Sequence, residues 1–334
     1  MIIFELLLLV LLILMVVYRK QLFNPSVIDA LSAESLIFLS VLFFGLTLIS
    51  VNQNIDGPLS GRAVIFITSL SAIICSYYFR FLSPLFLGLI GLQIFWGQQI
   101  YYWVPAAEMD AKFFPILFIA GLIGLLYYGL ANLHRKENQF NFFAQTYQSI
   151  GLLFFTVILF ILSAKPGLTL IEAAARASSP LLLWPIGLLF LLLILAIAVV
   201  IYLAFNSKLL SGYELSAVAI LTIIFGIILA WPPAHLFAQN QLTTAGFAWA
   251  VVFNALLFAE LLGLIMIGYN KKEERLINFG AVALFILIII KYFDWFFSSL
   301  DKSLFFILAG IIFLGLGGAM ERGRRYLIGN IKKE

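Results

Sequence analysis

Three ionisable residues lie inside long apolar runs, where a charge is costly. Glu260 has apolar neighbours on both sides, and Lys291 and Asp294 stand three residues apart in the next run. An ionisable side chain at the centre of a membrane helix costs at least about 2.5 kcal/mol, which makes each of these residues a candidate functional site. The Glu260 carboxyl could carry a proton or bind a cation. The alternative is a neutral acid that bonds a neighbouring helix.

Lys291 and Asp294 share one face of their helix because residues three apart are neighbours on a helical surface. This spacing predicts an ion pair near one membrane surface, or a lysine whose ammonium reaches the interface along its apolar stem. Asn254, in the run before, lies at a depth similar to that of Lys291. If these two helices form an antiparallel hairpin, Asn254 is a better partner for Lys291 than Glu260 is.

A second group of acidic residues follows an aromatic stretch. Glu108 and Asp110 come shortly after Tyr101, Tyr102 and Trp103, which are residue types enriched at the membrane interface. The two carboxyls are candidate acid, base or metal ligands of an enzyme that acts on a lipid-linked substrate. The alternative is an interfacial belt without chemistry.

Motifs of known catalytic chemistry are absent from the sequence. There is no HExxH, GxSxG, Walker loop or CxxC pair, and Cys75 is the single cysteine. The two histidines, His134 and His235, fall in gaps on opposite predicted sides of the membrane and are expected to be ordinary loop residues. We therefore expect no metal and no cofactor, and a non-enzymatic role is favoured.

The elements that carry these residues are membrane helices. The chain is 63% hydrophobic and 11% charged, far below the roughly 25% charged of soluble domains. Lipid offers no partner for backbone groups, so long apolar runs without alternation must be helical. We predict an all-α polytopic transmembrane bundle of about eleven spans, with ten and twelve as alternatives, in a single domain over residues 1–334. The predicted spans are 2–18, 35–51, 62–80, 84–101, 113–132, 148–163, 180–205, 213–231, 246–269, 276–297 and 303–320.

The basic residues indicate the orientation. Most Lys and Arg residues fall in alternate gaps, and the opposite gaps hold Arg62, Lys112, Lys165, Arg176 and Lys302. Cytoplasmic loops carry the excess of positive charge, so the N-terminus is predicted outside. Residues 321–334 then form a short basic cytoplasmic tail. Because these charges serve topology, no nucleic acid partner is expected.

Two further features concern packing. Glu172 and Arg176, at a spacing of four in the gap 165–180, predict a short surface helix that acts as a structural cover or as a ligand lid. Gly315 and Ala319 form a small-xxx-small pair in the last span, a pattern that allows close helix approach.

The C-terminal sixty residues resemble part of a bacterial family of predicted membrane proteins, the domain of unknown function twenty-one fifty-seven. The resemblance lies in Arg275 and Asn278, the KYFD stretch from Lys291, Asp301 before an FFILAG-like span, and a closing ERGRR. It implies a bacterial inner (cytoplasmic) membrane and an envelope protein as partner. It implies no reaction and no substrate.

Three hypotheses follow for function. The first is a non-enzymatic component of a membrane or envelope assembly, in contact with the lipid bilayer and with a partner protein or a second copy. The second is a permease or ion channel that uses Glu260, with Asn254, Lys291 and Asp294 as further binding or ion-coupling candidates. The third is an intramembrane enzyme at Glu108 and Asp110.

Overall fold

The computed structural model describes residues 30–54, 57, 59–104, 109–137, 140–177, 185–239, 241–296 and 302–331. These ranges are almost wholly helical, which confirms the all-α class. The helices are α1 Ala30–Asn54, α2 Gly61–Phe79, α3 Leu82–Trp103, α4 Met109–His134, α5 Asn141–Leu162, α6 Lys165–Arg176, α7 Ile186–Asn206, α8 Gly212–Ala230, α9 Thr244–Asn270, α10 Glu274–Phe296 and α11 Lys302–Ile331. A two-residue hairpin, β1 Phe237–Ala238 with β2 Gln241–Leu242, precedes α9.

Nine helices in the described ranges are long and apolar enough to cross a membrane, and α3 and α6 are not among them. The length of α3 suffices, but its glutamines and interfacial aromatic residues lower its mean hydropathy. The first predicted span, 2–18, lies outside the described residues. The fold is therefore that of a multi-pass helical membrane protein, and the count of about eleven spans with an outer N-terminus stays a prediction.

Several helices extend beyond the predicted spans. Helix α4 begins at Met109 and not at 113, α5 begins at Asn141 and not at 148, and α11 continues to Ile331 through most of the predicted tail. An apolar run records only the hydrocarbon thickness, about 30 Å, whereas backbone hydrogen bonds continue a helix into the interface. The short helix predicted from Glu172 and Arg176 is present as α6, with an ion pair of 2.7 Å between them.

The chain divides into two compact units. The first takes in the described residues up to Ile158 together with Thr169–Ala234, and the second takes in Leu159–Leu168 and His235–Glu334. The second unit thus includes the end of α5 and the start of α6. The expectation of a single domain over 1–334 stays a prediction.

Helix α4 is the most buried of the candidate spans in the first unit. Two thirds of its apolar window is buried, and it contacts α3, α7 and α8. Phe118 of α4 packs on Phe225, with ring centroids 5.0 Å apart, and Phe155 packs on the same ring at 5.2 Å. Gly124 and Gly151 allow α4 and α5 to approach closely, since a Cβ on either glycine would stand within 3 Å of the other's carbonyl oxygen.

The second unit is built on the hairpin of α9 and α10, with α11 packed against α10. Gly268 and Gly280 bring the two hairpin helices together, because a Cβ on either would lie 2.9 Å from backbone of the facing helix. At the other end of α10, the Tyr292 hydroxyl donates to the Phe305 carbonyl at 2.9 Å, and the two rings stack. These contacts fix the helix that carries Lys291.

Candidate functional site

The candidate site of the second unit begins at the break between α5 and α6. Helix α5 ends at Leu162 and α6 begins at Lys165. In a continuous helix the Gly167 amide would bond the Ser163 carbonyl, but it donates instead to Ala164 at 3.1 Å. The Ser163 carbonyl is therefore one of the acceptors that a helix end leaves without a helical donor. Ser163 is 4% exposed, so this oxygen requires another partner.

Two side chains from the hairpin of α9 and α10 are the partners of this oxygen. Asn254 Nδ2 on α9 and Lys291 Nζ on α10 each donate to the Ser163 carbonyl oxygen at 3.0 Å. Asn254 Nδ2 also donates to Ala250 of its own helix at 2.7 Å. Three segments that are distant in sequence thus meet at one oxygen atom.

The Lys291 ammonium has a second, weaker contact. Its nitrogen lies 3.5 Å from Asp294 Oδ2, and the Asp294 side chain is 51% exposed while that of Lys291 is 13% exposed. Because the Asp294 side of this ion pair is exposed to solvent, the pair contributes at most about 1 kcal/mol. The carbonyl at the C-terminus of α5 carries the negative end of a helix dipole, which favours a cation. The main anchor of the ammonium is therefore Ser163, and Asp294 is secondary.

Glu260 lies apart from this cluster. It is six residues beyond Asn254 on α9, so it stands about 9 Å further along the axis and on a different face of the helix. Its side chain is half-buried, and its Oε2 atom is shielded from solvent. The structure thus brings Asn254, Lys291 and Asp294 together, while Glu260 occupies a separate position.

Of the two acidic candidates that follow the aromatic stretch, only Asp110 lies in the described part of the chain. Glu108 lies outside the described residues, and Asp110 is exposed in the first turn of α4. Close by, Lys112 places its ammonium 4.8 Å from the centre of the Tyr101 ring. Across the described ranges, no group of three His, Cys, Asp or Glu side chains could hold a metal ion.

Sequence reasoning missed a row of hydrogen-bonded side chains in the first unit. His134, expected to be a loop residue, is the last residue of α4, and its Nδ1 lies 2.8 Å from the Leu130 carbonyl. A carbonyl only accepts, so Nδ1 carries the hydrogen, and in this tautomer Nε2 accepts from the Tyr77 hydroxyl at 2.6 Å. The Tyr77 oxygen then accepts from the Tyr147 hydroxyl at 3.0 Å. The three side chains form a directed row of hydrogen bonds.

Glu214 is a second residue that the sequence did not single out. It is 1% exposed, and it accepts from the Tyr128 hydroxyl at 2.6 Å and from the backbone and hydroxyl of Ser211. The motif Ser-x-x-Glu before an apolar run signals such a capping box and could have found it. Its role is to begin α8.

Comparison of the chain with protein family models, with curated proteins and with solved structures finds no match in any of the three.

Proposed function

We propose that this protein is a non-enzymatic, multi-pass membrane protein that acts as a component of a membrane assembly, and that α11 is the helix that contacts the partner. The observation that carries the proposal is the exposure of α11. Only 11% of its apolar window is buried, the smallest share among the nine candidate spans of the described residues. The resemblance of the C-terminal residues supports the bacterial inner membrane as the location of the assembly.

The glycines of α11 support a partner more directly than exposure does. At Gly124, Gly151, Gly268 and Gly280, a Cβ would collide with a neighbouring helix. At Gly315 and Gly318 a Cβ would meet no described atom within 4 Å. A glycine inside a helix costs roughly 0.5–1 kcal/mol relative to alanine. At those four positions that cost accompanies close helix approach, and on α11 a helix from another molecule would provide the approach.

Two of the open glycines of α11 lie on one face. Gly315 and Gly318 are three residues apart, and Ile311 and Arg322 extend the same stripe by one turn in each direction. On the side of α11 that faces α10, a Cβ on Gly317 would instead stand 3.6 Å from the Phe285 ring. Small residues let membrane helices pack at short distance. The stripe is therefore suited to a helix, with Arg322 at its end available to an acidic residue of the partner.

The proposal is tested by gentle extraction of the protein from native membranes into nanodiscs, followed by mass spectrometry of the proteins that remain bound. We expect a companion in constant stoichiometry, either a different protein or a second copy. Gly315→Leu combined with Gly318→Leu should reduce its recovery at least tenfold. Gly263→Leu in α9 is the matched control, since a Cβ there also meets no described atom within 4 Å. A wild-type protein that is recovered alone would contradict the proposal.

A permease or ion channel is the second candidate, favoured by the half-buried Glu260 and the shielded Oε2 atom of its carboxyl group. A carboxyl that takes up and releases a proton or cation during transport requires an ionisable side chain. Glu260→Gln keeps the size and polarity of the side chain but cannot ionise. In proteoliposomes, loss of proton or cation flux in this variant with unchanged folding would support the second candidate, and unchanged flux would exclude Glu260 from transport.

A further inference from the structure

A groove lies between α10 and α11, on the side of α11 away from the Gly315 and Gly318 stripe. Its volume is about 370 Å³, within the roughly 300–1,000 Å³ of small-molecule sites. Five of its lining residues are apolar or glycine, and two are charged. The lining residues are Ala281, Val282, Phe285, Gly317, Met320, Glu321 and Arg324. The groove is thus apolar along most of its length and charged at one end.

The charged end is a fixed arrangement. Arg324 binds both carboxyl oxygens of Glu321, at 2.7 and 2.8 Å, and its Nη1 donates to Asn278 Oδ1 of α10 at 2.7 Å. Arg325 Nε also donates to Glu321, at 2.6 Å. Two guanidinium groups therefore share one carboxylate, and the cluster of Glu321, Arg324 and Arg325 has a net charge of +1.

Hydrogen-bond donors remain at this cluster. A guanidinium group carries five N–H donors. The bonds to Glu321 and Asn278 use three of the five on Arg324, and the bond to Glu321 uses one on Arg325, whose side chain is 77% exposed. Arginine is well suited to phosphate because its planar fork binds two oxygens.

The position of the cluster matches a lipid headgroup. The apolar run of α11 ends at Met320, and Glu321 begins the charged stretch ERGRR, so the cluster lies where hydrocarbon gives way to headgroups. The groove continues from there along apolar residues toward Phe285. An amphiphile with an acyl chain and an anionic head fits both parts at once.

We infer that this groove binds one anionic glycerophospholipid, with an acyl chain between α10 and α11 and its phosphate on the remaining donors of Arg324, which lines the groove, and on Arg325, which adjoins it through Glu321. Two observations carry the inference: the apolar groove opens at an arginine cluster with remaining N–H donors, and this cluster is held in place by Glu321 and Asn278. The site needs no partner protein, so its test is independent of the proposed assembly.

The test uses the full chain in nanodiscs that contain phosphatidylcholine and phosphatidylglycerol in equal amounts. Native mass spectrometry of the protein released from them gives the ratio of the two lipids that stay bound. We expect phosphatidylglycerol to be enriched about fivefold, the factor for one basic residue near an anionic headgroup. Equal retention of the two lipids would overturn the inference.

Variants test whether the enrichment of phosphatidylglycerol comes from the groove. Arg325→Gln should bring the ratio close to one, whereas Lys208→Gln, at an exposed basic residue of the first unit, should leave it unchanged. Gly317→Leu should fill the groove and lower the amount of both bound lipids. Circular dichroism and monodisperse elution establish that each variant is folded. An equal fall for Lys208→Gln and Arg325→Gln would mean general surface attraction and would contradict a site.

Competition separates the headgroup from a free phosphate. Glycerol phosphate added in excess should leave the bound phosphatidylglycerol in place, because the acyl chain contributes to binding. Displacement by glycerol phosphate would show an anion site without a lipid groove and would overturn the inference.

Discussion

The ammonium of Lys291 donates a hydrogen bond to the carbonyl of Ser163 over 3.0 Å, although 128 positions separate the two residues in the chain. The carbonyl is available because α5 stops at Leu162, and it is also bonded by Asn254. A charged residue that is costly inside a membrane thus satisfies a backbone group that is costly there as well. This contact joins the helix break to the hairpin of the second unit.

The ranking of the two Lys291 contacts is testable. Lys291→Met removes the charged donor to Ser163 and should lower the free energy of unfolding by about 1.5–3 kcal/mol. Asp294→Asn weakens only an exposed ion pair, and its cost should stay below about 1 kcal/mol. Unfolding of the purified protein in mixed micelles measures both variants. An equal or larger loss for Asp294→Asn would show that the ion pair is the main anchor.

Asn254 and Lys291 should be coupled, because they donate to the same oxygen. After Asn254→Ala the carbonyl keeps Lys291, and after Lys291→Met it keeps Asn254. The double variant leaves it with neither of these donors, so its loss of unfolding free energy should exceed the sum of the single losses by about 0.5–3 kcal/mol. A double-mutant cycle measures the excess. Additive losses would mean that the two donors act independently.

The row formed by Tyr147, Tyr77 and His134 predicts an order of effects. Tyr77→Phe removes the middle hydroxyl, which leaves two polar groups without this partner, and should cost about 1–3 kcal/mol of unfolding free energy. Tyr147→Phe removes only the terminal donor and should cost about 0.5–1.5 kcal/mol. The two variants lose the same atom from the same residue type, so each is a control for the other. The reverse order would contradict the position of Tyr77 in the middle of the row.

Two glycine-to-alanine changes should have opposite effects on stability. At Gly151 a Cβ would stand 2.6 Å from the Gly124 carbonyl oxygen, so Gly151→Ala forces α4 and α5 apart. Overpacking of this kind costs typically about 1–3 kcal/mol. At Gly315 a Cβ meets no described atom, and Gly315→Ala should raise helix stability by about 0.5–1 kcal/mol in the isolated protein. Thermal unfolding of the two variants measures both changes in stability. A loss of stability in Gly315→Ala would mean that another part of the same chain packs against Gly315.

The sequence predicts the helices well because the bilayer leaves few choices for an apolar run. It also predicts that Asn254 and Lys291 lie at similar depth, since depth follows from the count of residues along two antiparallel helices. It does not predict that Ser163 joins them. A backbone carbonyl has no sequence signal, and it becomes an acceptor only because α5 ends there.

For a similar reason, the sequence does not predict the row formed by Tyr147, Tyr77 and His134. Tyr77, His134 and Tyr147 come from three helices, and nothing in their spacing indicates that they meet. His134 looked like a loop residue because the apolar run stops at 132, but α4 continues by two residues and places its ring against Tyr147, with centroids 4.9 Å apart. At helix ends in the membrane interface, the pattern of apolar residues no longer indicates the residue at which the helix stops.

The most direct test of the assembly claim is photo-crosslinking in intact membranes. A photoreactive amino acid replaces Ile311, on the Gly315 and Gly318 stripe, or Met266 of α9 as the control, residues that are 64% and 65% exposed. The proposed assembly predicts a discrete protein adduct at Ile311, identified by mass spectrometry, and no discrete protein adduct at Met266. Lipid adducts alone at both positions would contradict a partner on α11.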